Sequence, residues 1–261
     1  MPERPAFDPR IPHPARVWAC LIDEGGEYYE SDREAAEEYK KSFPGIVAFA
    51  RASRGFYSRA LNYLLELQHD QFIDLGCGLP TRDNTHQRVQ RVRPAGRVLY
   101  ADVDPVVGLK RDALSSSTAE GSTDYAHVDM RDTDQVLAHA KTVLNLNRPV
   151  ALLLSDCMGH LDYEEALEIV GRLTDALPSG SHLMLSHASD LDEVQRVAQE
   201  QYNAIPGGIP YHLRSVEKIA GLFDFDHLEM EPPGLMPWAD WRPDETTNSV
   251  RTGYGAVARI R

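Results

Sequence analysis

The chain has 261 residues, 42% hydrophobic and 26% charged, an ordinary globular make-up with enough apolar material for one sizeable core. Forty acidic residues against 27 basic ones give a net charge of −13, which argues against nucleic acid as a substrate because phosphate backbones recruit basic surfaces. Three widely spaced cysteines form no CxxC pair and no apolar run approaches the roughly 18 residues of a membrane span, so a reduced, cytoplasmic chain without structural zinc or membrane segment is expected.

The proline-rich start, 1–14, lacks an apolar signal core and reads as an extended arm. A short helix fits 15–22, followed by the acidic, glycine-broken stretch Asp23-Glu24-Gly25-Gly26-Glu27. Ser31 and Glu34 have capping-box spacing for a helix ending near Lys41, before Pro44. A second helix over 47–67 carries Phe56, Ala60, Tyr63, Leu64 and Leu67 on one face. The pattern then alternates. Strands are predicted over 71–75, 97–102, 124–129, 149–155 and 181–187, with helices over 84–93, 105–116, 132–145, 163–177 and 190–203. Such alternation predicts an α/β fold: a doubly wound, mostly parallel, seven-stranded Rossmann-like sheet. The division expected is an arm and helical cap over 1–67 and one compact unit over 68–261. The tail adds a helix over 215–223 and strands over 225–231 and 253–260. Between those strands a long segment holds Trp238 and Trp241, and loops of that length are usually functional.

The stretch Phe72-Ile73-Asp74-Leu75-Gly76-Cys77-Gly78 reads as a strand running into a glycine turn, the place where open α/β sheets bind ligands. A P-loop would need Gly-Lys-Ser/Thr, which is absent. A dinucleotide turn would need a third glycine, but Thr81 stands there, preceded by Pro80. What remains is a turn that hugs a nucleoside. Asp102 ends the next strand beside Val103, and a carboxylate there can accept from both ribose hydroxyls. Asp104, before Pro105, fits a helix N-cap instead. Asp129 is placed to accept from an adenine amino group, with Met130 beside the ring. Ser155-Asp156 ends the fourth strand, on the side of the reacting centre.

These residues resemble those of a class I S-adenosylmethionine-dependent methyltransferase. More narrowly, the chain resembles the actinobacterial S-adenosyl methyltransferase family once catalogued as a domain of unknown function. The resembling stretches are 14–18, 31–36, 72–84, 98–105, 129–132, 148–161 and 181–187, with Gly78-Leu79-Pro80-Thr81 the most specific. The resemblance implies S-adenosylmethionine as cofactor, S-adenosylhomocysteine as product, and contacts from Asp74, Gly76, Cys77, Gly78, Asp102, Val103, Asp129, Met130 and Ser155. It places Arg51 or Arg54 at the methionine carboxylate. Where the family carries Gly-Gly-Lys-Asp-Asn-Phe this chain has Glu24-Gly25-Gly26-Glu27-Tyr28-Tyr29, so acceptor choice is expected to differ here.

Methyl transfer needs alignment of nucleophile and methyl, and a base only if the nucleophile must lose a proton. Glu24, Tyr28 and His160 are the candidate catalytic groups; Glu27, Tyr29, His187, Trp238 and Trp241 are candidates for binding the acceptor. Each has a structural alternative: a solvated acidic turn, a packed tyrosine, a core histidine, a loop-pinning tryptophan. Arg88, Arg91 and Arg93 read as a solvated helix face, and no metal-ligand set is evident. The aromatic and acidic residues together suggest a small aromatic or heteroaromatic acceptor, sharpest as carbon methylation of an indole in specialised metabolism. Rivals are O- or N-methylation of another small molecule, a non-catalytic S-adenosylmethionine-binding regulator, and a nucleotide-dependent oxidoreductase. A homodimer is compatible with the sequence.

Overall fold

A computed structural model of the chain describes residues 8–22, 28–114, 117–245 and 247–261. Three helices come first: α1 (Pro14–Ile22), α2 (Glu30–Ser42) and α3 (Ile46–Glu66). Strands and helices then alternate through β1 (Gln71–Leu75), α4 (Thr85–Val92), β2 (Arg97–Asp102), α5 (Pro105–Leu114), β3 (Ser122–His127), α6 (Thr133–Val143), β4 (Ala151–Ser155), α7 (Tyr163–Asp175) and β5 (His182–Ala188). The tail comprises α8 (Glu193–Asn203), α9 (Val216–Gly221), β6 (Leu228–Met230), β7 (Met236–Pro237) and β8 (Gly253–Ile260). The sheet runs β3-β2-β1-β4-β5-β8-β6, with the two-residue β7 paired to β8. The first five strands in that order are parallel; β8 is antiparallel to β5, β6 and β7. Strand order reverses between β1 and β4, which opens the crevice where such folds bind ligands.

Side chains alternate strictly across this sheet, as the two-residue period of a strand requires. Ile73, Leu75, Leu99, Leu152, Leu154, Leu183 and Leu185 join one core with α6 and α7. Phe72, Val98, Tyr100, Ala151, Leu153 and Met184 join the other, with α3. Helix α3 is therefore a layer of the sheet domain, and the division expected at 67/68 crosses a shared core.

The tryptophan segment is a correction. Trp238 and Trp241 are 0% exposed and pack on α3, with ring centroids 4.9 Å from Phe49 and 5.2 Å from Phe56 respectively. Arg59 of α3 donates to the carbonyls of Trp238 (2.6 Å) and Trp241 (3.1 Å), and Trp238 Nε1 donates to the Tyr254 carbonyl at 2.8 Å. A Cβ at Gly253 would lie 2.2 Å from the Trp238 ring, so that glycine is the space the ring fills. These rings are core and present no surface to solvent.

The start of α2 also differs from expectation. Ser31 is within the helix, its hydroxyl donating to the Pro9 carbonyl at 2.8 Å; the end is satisfied by Asp32, which accepts from the Tyr29 N–H at 2.8 Å and the His13 N–H at 3.0 Å. Asp32 is buried beside Arg16, which lies 3.2 Å from Asp104 in the turn between β2 and α5, so buried charge ties α1, α2 and the sheet domain together.

Candidate functional site

A cavity of about 660 Å³ opens beyond the carboxyl ends of β1, β2 and β4, within the size range of small-molecule sites. One half is built from turns that follow strands. Gly76 (φ 67°) and Gly78 (φ 64°) take the left-handed conformation that glycine adopts without strain. A Cβ at Gly76 would lie 2.5 Å from the Cys157 Cβ, whereas the space beside Gly78 is open. The Gly78 N–H donates to Asp102 Oδ2 at 2.9 Å and the Asp104 N–H to Asp102 Oδ1 at 2.9 Å. Each carboxylate oxygen keeps a lone pair for a ligand. Burial pushes the Asp102 carboxyl above the usual range, and those two N–H donors work against the rise. Asp74 lines the cavity, and its Oδ2 accepts from Tyr57 of α3 at 2.9 Å and Thr85 of α4 at 2.6 Å, holding the turn between two helices.

Cys77, Val103, Asp129, Met130 and Ser155 also line the cavity. Strand β3 ends at His127, so Asp129 stands in the following turn, accepting from the Arg131 N–H at 2.9 Å and pairing with its guanidinium at 3.3 Å. Arg51 is exposed on the far side of α3, away from the cavity; Arg54 lines it, with its guanidinium 5.5 Å above the Tyr57 ring. Arg88 is no solvated bystander either: it donates to Ser58 Oγ at 2.7 Å and Asn62 Oδ1 at 2.9 Å and lines the cavity. An acidic acceptor at a strand end, open space beside a left-handed glycine, and apolar flanks at Val103 and Met130 fit a nucleoside.

The other half is walled by helices. Trp18 of α1, Tyr39 of α2, Phe49 and Ser53 of α3, Tyr202 of α8 and Tyr211 all border it. Asp156 sits at the junction, in the left-handed region (φ 54°) immediately after β4. It accepts from Ser53 Oγ at 2.5 Å and from the Tyr211 hydroxyl at 3.3 Å. Burial raises its pKa from an ordinary 3.8 to about 6, against the lowering effect of those two donors. From the sequence this carboxylate is expected on the side of the reacting centre, without a role of its own; its position at the strand-order reversal is the signal that identifies it.

His160 lines the cavity, as expected for a residue following the fourth strand. Its Nδ1 lies 2.8 Å from the Pro210 carbonyl, which only accepts, so Nδ1 carries the hydrogen and Nε2 the lone pair. Burial lowers its pKa to about 4, a weak base at neutral pH. His187 does not reach the cavity. It is buried behind Tyr211 (3.5 Å), with Arg214 3.1 Å from its Nε2, and burial and that guanidinium lower it to about 3. Tyr28 and Tyr29 are also outside: Arg33 lies 5.9 Å over the first ring and Arg16 5.2 Å over the second. Glu24 and Glu27 lie outside the described residues.

A family model described as S-adenosyl methyltransferase matches residues 2–261. A DUF574 family protein from Streptomyces avermitilis is 35% identical, with a TM-score of 0.89 over 96% of this chain and 98% of its own. A putative methyltransferase from Thermobifida fusca is 30% identical, with a TM-score of 0.88 over 100% and 99%. The plantazolicin methyltransferase BpumL, solved with S-adenosylhomocysteine, shares the fold at 10% identity and a TM-score of 0.51, covering 95% of each chain. No curated protein matches.

Proposed function

The chain belongs to the S-adenosyl methyltransferase family, and from that premise we propose that it methylates a small aromatic or heteroaromatic acceptor, with Asp156 as the base. The observation that carries this reading is a half-buried carboxylate, raised to about 6, at the junction of the two halves of one cavity. S-adenosylmethionine supplies a methyl group already activated on a sulfonium and leaves as S-adenosylhomocysteine. Asp102 holds the ribose, Asp129 the adenine amino group and Arg54 the methionine carboxylate, while Val103 and Met130 cover the base.

Asp156 is ionised at neutral pH yet close enough to neutrality to take a proton efficiently. A nucleophile N–H or O–H facing it loses its proton to the carboxylate as the nucleophile's electron pair forms the bond to the methyl carbon. In the indole version the ring N–H proton goes to Asp156 and the electron pair is delivered through the ring carbon. Trp18, Tyr39, Phe49 and Tyr202 favour a flat ring, since aromatic faces and edges pack well against one another. His160 acts as a hydrogen-bond acceptor rather than as the base. Tyr28, outside the cavity, is replaced in the catalytic role by Asp156.

The test is transfer of labelled methyl across a panel of indoles, phenols and aromatic amines, with wild type and Asp156→Asn. Turnover of the variant is expected to fall by about 10²–10⁴ with cofactor affinity unchanged. Wild-type turnover should rise with pH through about 6, as Asp156 ionises. Because the folded-state value is raised, protonated Asp156 favours the fold below its ordinary 3.8, and that contribution is lost as pH rises through about 6. Equal turnover by the two proteins on an accepted substrate would remove Asp156 from the mechanism.

A further inference from the structure

Two glutamines one turn apart on α8 line the acceptor half of the cavity, and they differ. Gln199 is engaged at both ends: its Oε1 accepts from the Tyr39 hydroxyl at 2.6 Å and its Nε2 donates to Asn203 Oδ1 at 2.9 Å. Gln195 is 1% exposed, and its Oε1 is buried with no hydrogen-bond partner among the described residues. Its backbone N–H is committed to the helix end, donating to Asp192 Oδ1 at 2.8 Å, but its side-chain amide has no such task.

On folding, a buried amide oxygen without a partner gives up the hydrogen bonds it made to water, and native chains tolerate this rarely outside functional sites. Turning the terminal amide about its last bond brings either its donor or its acceptor end toward the cavity. A ligand that satisfies the amide is therefore favoured over one of equal shape that does not, which is the basis of strong discrimination by buried polar groups. Gln199 cannot serve the same purpose, because binding through it would break the contact that holds α2 to α8.

We propose that the Gln195 amide is the recognition group for the methyl acceptor, pairing with a planar N–H/C=O edge such as that of a lactam or carboxamide. This rests on the reading of the cavity as a methyltransferase site. It deepens that reading by giving the acceptor two polar features: an ionisable N–H or O–H at Asp156 and an amide-like edge at Gln195. Gln195 is a specificity-determining residue and takes no part in proton transfer.

The experiment uses the full chain saturated with S-adenosylhomocysteine and titrated calorimetrically with oxindole and with 1-methyloxindole, which lacks the N–H. Wild type is expected to bind oxindole about tenfold more tightly than the methylated probe. Gln195→Met, similar in shape but without the amide, is expected to abolish that difference; Gln195→Leu, which likewise has neither donor nor acceptor, is a second variant expected to lose the preference. Unchanged affinity for S-adenosylhomocysteine reports that each variant is folded. Failure of oxindole to bind wild type, or an undiminished preference in both variants, overturns the proposal. Loss of the preference in the Gln195 variants together with unaffected turnover in Asp156→Asn would uphold recognition by Gln195 and remove the base. Failure of wild type to bind S-adenosylhomocysteine would overturn both readings.

Discussion

Around Asp102 the cavity wall consists of turns that follow strands; around Asp156 it consists of helices α1, α2, α3 and α8 and the segment 208–212. The first wall is held by carboxylates at strand ends that accept from neighbouring turns, such as Asp102 from the Gly78 N–H, with Tyr57 and Thr85 bracing Asp74. The second depends on side chains brought together over long stretches of sequence, such as the Tyr39 hydroxyl on Gln199. The difference teaches that a nucleoside cradle can be kept while the acceptor wall is rebuilt, because few residues serve both.

Breaking the helical wall from behind gives the largest expected effect. Trp238→Ala should cost about 3–5 kcal/mol of stability, read as a fall in Tm and in denaturant midpoint, because it empties a core volume beneath Phe49. Were Trp238 a substrate platform instead, the variant would keep its Tm and lose acceptor affinity. On the strand-turn side, Asp102→Asn should weaken S-adenosylhomocysteine binding by about 10- to 100-fold, the range for a charge-assisted hydrogen bond, in calorimetry. Acceptor-probe binding to the cofactor-saturated variant should change little if the two halves are as separate as their construction implies. The smallest effect sharpens the boundary between them. Arg54→Ala should weaken cofactor binding by about tenfold through loss of one charged contact, while Arg51→Ala, on the exposed face of the same helix, should stay within about twofold.

The same contrast explains what could be read from the amino-acid sequence. Strands β1 and β2 and the glycine turn were legible because a buried strand followed by Gly76 and Gly78 has a local signature, and a carboxylate at the strand's end has little choice of direction. The third strand is expected over 124–129, ending at Asp129, but it ends two residues earlier, because its apolar pattern is weak: Ser122, Thr123 and Asp124 leave the strand's bounds undetermined. Trp238 and Trp241 misled because their burial depends on α3, far away in sequence; the glycines at 253 and 255 were the one local clue, since two gaps in an otherwise filled strand ask for large neighbours. Arg51 and Arg54 could not be separated without the rotation of α3 against the sheet. Gln195, Gln199 and Tyr202 have the spacing of one helical face, but nothing local says that this face meets a cavity rather than water.

The buried contact of Arg16 with Asp104 and Asp32 has a consequence for dissecting this protein. A shortened version lacking α1 would expose apolar surface, as any truncation does, but it would also strand two buried carboxylates without their cation, a defect commonly worth about 3–5 kcal/mol. Trimming toward a minimal catalytic core would then require neutral replacements at 32 and 104 as well. Asp104 donates its backbone N–H to Asp102, so the edit would be felt at the ribose anchor. In engineering terms, the first helix is a counter-charge for the turn after the second strand, and the two have to be redesigned together.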